Sequence, residues 1–340
     1  MAPEGGRLII YHQTHHTPDG TPVSLLPLIT YETGITHVII AAFHLNEQPG
    51  HITLNNDAPS HERYSTLWAE MSWLQGSGVK VLAMLGGAAK GTFAKLDGRD
   101  FEEYYIPLRD ALRTHNFNGI DLDIEEEFSL PAAYRLIDRL RMEFGPEFII
   151  TLAPVATALL PNMPHLSGKH FDYFALEAAR GDQIAWYNTQ FYNGWGEPIW
   201  FASILAEGWK PEKIVIGLLT NPLNGGSGYV SPADMEAVLV TLRAICPTLG
   251  GVMGWEYFNA LPGGCDRPWD WVMHMRRTLR APITEGSQVT GGSVLSAPPH
   301  PFPPENVAVL ADLGFSQQQA VAALNMTNGN VELAAGLLFD

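Results

Sequence analysis

Eight short runs rich in β-branched residues, separated by longer stretches of helical periodicity, predict an α/β protein built on a (β/α)8 or TIM barrel. A second observation sets its limit: after Arg280 the composition changes and Lys and Arg are absent from the rest of the 340 residues. The barrel is therefore expected over 1–282, a Pro/Gly/Ser linker over 283–302, and a small helical module over 303–340. In chain order, strands are expected at 8–12, 37–44, 79–85, 119–125, 148–154, 187–192, 213–219 and 251–255. Helices fit 25–33, 64–75, 101–114, 131–144, 199–207, 231–244 and 269–279, between or after those strands. Most strands end in polar or aromatic groups, the usual place for a barrel's active site.

The fourth expected strand carries the densest chemistry. In Asn118-Gly119-Ile120-Asp121-Leu122-Asp123-Ile124-Glu125, apolar and acidic residues alternate. Strand side chains alternate faces, so Asp121, Asp123 and Glu125 share one face and the aliphatic residues the other. Carboxylates about 6 to 7 Å apart along a strand repel one another, which raises at least one pKa and makes a poised acid. An exposed acidic face would not need an aliphatic residue at every intervening position. Glu126 and Glu127 extend the run but are read as loop residues.

Composition narrows the partners. The chain is 46% hydrophobic with a formal charge of −16, which argues against nucleic acid and anionic membranes but leaves neutral sugars open. Cys246 and Cys265 can form at most one bridge and are read as reduced thiols. The amino terminus has no basic start and no apolar run before the first strand, so a cytoplasmic protein is expected, although a secreted chain stripped of its signal would look the same. No stretch approaches the roughly 20 apolar residues of a membrane span. His12, His15 and His16 cluster near the first strand, yet no cysteine or second cluster completes a zinc site, so surface or substrate-contact roles fit better. No metal and no cofactor is expected.

The order Gly-Ile-Asp-Leu-Asp-Ile-Glu resembles the signature of glycoside hydrolase family 18. That resemblance implies that Glu125 protonates the leaving glycosidic oxygen, that Asp123 orients the substrate's own 2-acetamido group for attack on the anomeric carbon, and that Asp121 shares a proton with Asp123. It also implies that Tyr192, in Tyr187-Asn188-Thr189-Gln190-Phe191-Tyr192-Asn193, donates to the acetamido carbonyl. Gln190 shares its strand face. Trp255, closing Gly250-Gly251-Val252-Met253-Gly254-Trp255, corresponds to the floor under the reacting sugar, with Tyr11, Asn193, Trp195, Gly86 and Gly87 as further substrate contacts. Asn118 stands where many members carry the first aspartate, and Met84-Leu85-Gly86-Gly87 lacks the usual serine. Residues 7–280 are further similar to the fungal endo-β-N-acetylglucosaminidases of the family, which implies cleavage within the N,N'-diacetylchitobiose core of N-glycans. Chitinases share the same catalytic residues, and a catalytically silent glycan-binding adaptor is a competing reading.

About 20 flexible linker residues reach about 25 Å, enough to let a second module move freely. Three short helices are expected beyond them, at 305–313, 316–324 and 330–339, with Ser316 and Asn330 as caps and Gly314 as a stop. Leu313-Gly314-Phe315 and the run from Asn330 to Leu338 resemble a ubiquitin-associated (UBA) domain. The resemblance implies that Leu313, Gly314, Phe315, Leu337 and Leu338 form an apolar patch that takes ubiquitin.

Overall fold

The computed structural model describes residues 6–281, 304–315, 317–327 and 330–339, so the expected linker lies outside the described residues. Its strands are β1 Arg7–His12, β2 His37–Leu45, β3 Ile52–Leu54, β4 Lys80–Gly86, β5 Gly119–Asp123, β6 Ile149–Leu152, β7 Trp186–Gln190, β8 Ile214–Leu219 and β9 Gly251–Trp255. All except β3 run parallel in the order β1-β9-β8-β7-β6-β5-β4-β2, and β2 pairs back to β1 to close the barrel. The short β3 lies antiparallel on the end of β2. The helices are α1 Pro27–Thr30, α2 Ser65–Gly76, α3 Thr92–Asp97, α4 Phe101–Thr114, α5 Leu130–Phe144, α6 Tyr173–Arg180, α7 Phe201–Ala206, α8 Pro232–Ile245, α9 Trp269–Arg280, α10 Pro304–Asp312, α11 Gln317–Met326 and α12 Val331–Phe339.

Alternation along the strands sorts residues between two cores. Ile9, Tyr11, Ile39, Leu82, Met84, Trp186, Val215 and Met253 fill the barrel interior. Their neighbours Leu8, Ile10, Val38, Ile40, Val81, Ile120, Leu122, Ile216 and Val252 pack outward against the helices. With Ile120 and Leu122 facing the helices, Asp121 and Asp123 face the interior. Helix α5 shows how the outer layer is built: the Ser129 hydroxyl accepts from Ala132 N at 3.3 Å, Pro131 opens the first turn, and Ala133, Leu136, Ile137 and Leu140 bury one stripe.

Several expectations are corrected. Helix α1 is four residues rather than 25–33, because Glu32 and Gly34 both take positive φ and end it. The expected helix at 199–207 divides into a 3-10 turn, Pro198–Trp200, and α7. One strand and two α-helices among the described residues were not expected: β3, α3 and α6, of three, six and eight residues. Each is too short for periodicity to distinguish from a loop. Strand β5 ends at Asp123 and β7 at Gln190, so Glu125 and Tyr192 lie beyond their strands.

The tail forms three helices around Val307, Leu310, Ala320, Val321, Ala323, Leu324 and Ala334. Gly314, at φ +97°, ends α10, and Asn330 Oδ1 caps α12 by accepting from Leu333 N at 3.0 Å. Leu313 is 47% exposed. The expected Ser316 cap and the Leu337 and Leu338 side chains lie outside the described residues. Among the described residues no helix is long and apolar enough to cross a membrane.

Gly119 tests the packing of β5 against β6. A Cβ there would stand 2.2 Å from the Ile149 carbonyl oxygen, a backbone atom that cannot move without breaking the ladder. Gly119→Ala should therefore cost about 3 kcal/mol or prevent soluble expression, read by denaturant midpoint.

Candidate active site

Asp121 is the deepest polar group. It is fully buried, and its register neighbour on β6 is Thr151. Its Oδ1 accepts from Thr151 Oγ1 at 2.6 Å and Asn188 Nδ2 at 2.9 Å, and its Oδ2 accepts from the Tyr11 hydroxyl at 2.6 Å. Burial raises the Asp121 pKa, while the three donors oppose that rise and favour the anion. Asp121 is thus tied to Tyr11, Thr151 and Asn188, and its charge acts on Asp123 above it.

Two residues up the strand, Asp123 has fewer donors. Its Oδ1 accepts from Gln190 Nε2 at 3.2 Å, and the same amide donates to Glu125 Oε1 at 3.2 Å and to the Ala153 carbonyl at 2.9 Å. Burial, then the charges of Glu125 and Asp121, push Asp123 well above the ordinary aspartate range. Burial also raises Glu125, against the Gln190 amide and the Lys90 ammonium, which lower it. The two carboxyl groups meet at one amide and titrate as a pair. Glu125 reaches this cluster although the strand has ended.

Tyr192 is 5% exposed, and its hydroxyl feels all three carboxylates. Burial and those charges push its pKa well above the ordinary tyrosine value, so the hydroxyl keeps its proton. Among the described residues it has no hydrogen-bond acceptor, which leaves that proton free to donate. Trp255 is half-buried at the mouth, its ring edge-on to Tyr11 with centroids 5.5 Å apart. Gly86 and Gly87, both at positive φ, are needed for close approach: a Cβ on Gly86 would stand 2.6 Å from the Asp123 carbonyl oxygen, and one on Gly87 2.6 Å from Met84 Cε. Trp195, half-buried, follows Tyr192 and donates its amide to the Tyr192 carbonyl at 3.1 Å.

Asn193 has a structural task. At φ +57°, it accepts on Oδ1 from Gly226 N at 2.8 Å and Ser227 N at 3.4 Å, pinning the loop after β8 beside Tyr192. Asn118 likewise serves the scaffold, since its Oδ1 accepts from Val81 N at 2.9 Å and Gln75 Nε2 at 3.1 Å. His12 and His15 are buried rather than on the surface. His15 donates Nε2–H to the Ala41 carbonyl, and burial pushes its pKa down to about 4, so it is neutral at physiological pH. Among the described residues no group of three His, Cys, Asp or Glu could hold a metal. Cys246 is buried and Cys265 exposed, both free.

Sequence reasoning missed Thr151, Asn188, Glu126 and Glu256. Asn188 had a readable signal, two residues before Gln190 on the same strand face. Glu256 accepts from Gln13 N at 2.9 Å, Thr14 N at 2.8 Å and Thr14 Oγ1 at 2.6 Å, so it fixes the segment after β1. That segment borders a cleft of about 1050 Å³ lined by Gln13, His16, Asn46, Asn56 and Lys90, with Tyr64 its one Phe, Tyr or Trp among the described residues. Lys90 links the cleft to Glu125.

The raised carboxyl pKa values have a stability cost with a defined sign. Asp123, raised in the folded state, stabilises below its unfolded pKa and loses that contribution as pH rises through the folded value. Asp123→Asn should therefore stabilise the protein at pH 7.5 by about 0.5–2 kcal/mol, and the gain should vanish near pH 4, measured by denaturant midpoints at both pH values.

The glycosyl hydrolases family 18 profile matches residues 7–228. The structure of chitinase ChiC from Aspergillus fumigatus is 55% identical, covers 81% of this chain and 99% of its own, and superposes with a TM-score of 0.73. A fungal endo-β-N-acetylglucosaminidase of family 18 is 44% identical over 81% of this chain and 98% of its own, with a TM-score of 0.77. Chitinase Chi52 of Paenibacillus xylanexedens is 23% identical over 215 residues, 50% of this chain, and the match spans only 41% of that relative. With the barrel closed, the acidic strand facing inward and the profile matching most of the chain, this protein belongs to glycosyl hydrolases family 18.

Proposed function

We propose that the chain is a retaining endo-β-N-acetylglucosaminidase that cuts the β-1,4 bond of the N,N'-diacetylchitobiose core of N-glycans. The observation that carries the retaining, acetamido-assisted chemistry is the convergence of Asp123 and Glu125 on the Gln190 amide beside the free hydroxyl of Tyr192, and the 44% identity to a fungal endo-β-N-acetylglucosaminidase supports the choice of substrate. In the first step the acetamido oxygen of the substrate attacks the anomeric carbon, the glycosidic bond breaks, and the Glu125 proton passes to the leaving oxygen. Asp123 holds the acetamido N–H and offsets the positive charge of the oxazolinium, while Tyr192 donates to the acetamido oxygen. In the second step the Glu125 carboxylate takes a proton from water as that water attacks the anomeric carbon, which restores the acid and retains configuration. No protein nucleophile is needed.

The polar cleft supports the N-glycan reading. Its lining offers amide, imidazole, carboxylate and ammonium groups suited to the hydroxyls of a branched mannose-bearing glycan, and it adjoins the carboxyl cluster through Lys90. A chitinase is the second reading, favoured by the 55% identity to chitinase ChiC. The tail is proposed as a UBA-like module that brings the barrel to ubiquitinated glycoproteins in the cytosol, and its support is the exposed Leu313 beside the Gly314 turn. Tethering would raise the local glycan concentration.

A mass spectrum of a denatured high-mannose glycoprotein after incubation should show one N-acetylglucosamine left on each cleaved asparagine. Cleavage of chitin oligomers without that product would favour the chitinase. Glu125→Gln should retain glycan binding and lose about 10²–10⁴ in rate, and Tyr192→Phe should lose about 10²–10³ in kcat. Equal rates for wild type and Glu125→Gln would remove Glu125 from the chemistry. Ubiquitin titrated into the isotopically labelled full chain should shift the resonances of Leu313 to Phe315; unmoved resonances would end the recruitment reading.

A further inference from the structure

Glu125 is the group whose position matters most, yet β5 ends at Asp123 and its ladder does not extend to Glu125. The segment after the strand is instead fastened on both flanks. On the β4 side, the buried Glu126 carboxylate accepts from Gly91 N and Phe93 N, both at 2.7 Å, and the Asp123 carbonyl accepts from Gly87 N at 2.9 Å. On the β6 side, the Ser167 hydroxyl donates to the Ile124 carbonyl at 2.8 Å, and Phe128 N donates to the Ser167 carbonyl at 3.3 Å. A carboxylate with two short backbone bonds is a strong, directional fastener. It sits one residue from the acid.

We propose that Glu126 is a positioning residue for Glu125, with Ser167 as its counterpart on the opposite flank. The inference rests on the reading of Glu125 as the acid. The two consecutive side chains are held by different partners, Glu126 by the amides of Gly91 and Phe93 at the start of α3 and Glu125 by the Gln190 amide, so the anchor at Glu126 fixes the backbone from which Glu125 reaches Gln190. The same carboxylate holds the turn that follows Lys90, whose ammonium lowers the Glu125 pKa, so the clamp fixes both the acid and the cation that tunes it. Other ionisable groups border the clamp. The His44 ring feels the Glu126 charge, and Lys95 Nζ donates to the Gly91 carbonyl at 2.8 Å. A displacement of about 1 Å at an acid can cost on the order of 10²-fold in rate.

The test uses the full chain and a fluorogenic chitobioside, with Glu126→Ala and, should that variant fold poorly, the isosteric Glu126→Gln, which keeps one acceptor oxygen. The expected result is a loss of about 10- to 100-fold in kcat for Glu126→Ala, a smaller loss for Glu126→Gln, and KM changed by less than about threefold. In a Glu125→Gln background the Glu126→Ala change should cost almost nothing more, because the loss acts through Glu125. A second readout does not depend on activity: the ¹³C titration of the Glu125 carboxyl, assigned by its disappearance in Glu125→Gln, should move toward the ordinary glutamate value in Glu126→Ala. An unmoved titration curve would overturn the inference, whatever the enzyme cleaves. Wild-type kcat and pH profile in Glu126→Ala, with Glu125→Gln inactive, would overturn it while leaving the proposed chemistry intact; a wild type that cleaves no N-acetylglucosaminide would count against the chemistry, and the carboxyl titration would still decide the clamp.

Discussion

Burying one carboxylate at the centre of a barrel is the constraint on which the site depends. Asp121 has no access to water, and an unpaired charge in that position would cost several kcal/mol. Its oxygens are met by donors from three other strands: Tyr11 of β1, Thr151 of β6 and Asn188 of β7. Those bonds cross the interior and hold its walls together. They also oppose the rise that burial imposes on the Asp121 pKa and so favour a negative charge beneath Asp123.

That charge orders the protonation of the groups above it. With Asp121 compensated by three donors, Asp123 is the member of the pair that holds a proton more readily, since its one donor is an amide shared with Glu125 and Ala153. Gln190 therefore does more than fill space. It couples two carboxyl groups that burial has already made reluctant to ionise. The cost of this arrangement is stability at neutral pH, a common price of a site built from buried acids.

The barrel and the acidic strand were legible in the sequence because both depend on alternation. Ile120 and Leu122 pack outward and Asp121 and Asp123 inward, and this pattern survives any small error in strand ends. What alternation could not reveal was how donors on distant strands converge. Thr151 and Asn188 are 30 and 67 residues from Asp121 and gain meaning only once the barrel closes. Asn118, Asn193 and Glu126 show the complementary failure. A polar residue beside a motif can serve substrate or backbone equally well, and the choice lies in local geometry such as the start of α3 at 91–93 and the bend at 225–227, which has no periodic signature. The short elements β3, α3 and α6 were lost for the same reason.

In the proposed reaction Glu125 serves two opposite tasks, which limits how far its pKa can be moved. A group that gives up a proton in one step and takes one from water in the next works best near the ambient pH. Burial raises the Glu125 pKa. The Gln190 amide and the Lys90 ammonium act against burial, the first from the barrel wall and the second from the turn anchored by Glu126. Asp123 is coupled to the acid through the shared Gln190 amide, and the Glu125 charge raises its pKa, so the two carboxyl groups change protonation as a pair. The acid is thus balanced by groups on three separate segments, and one of them, Lys90, also borders the open cleft.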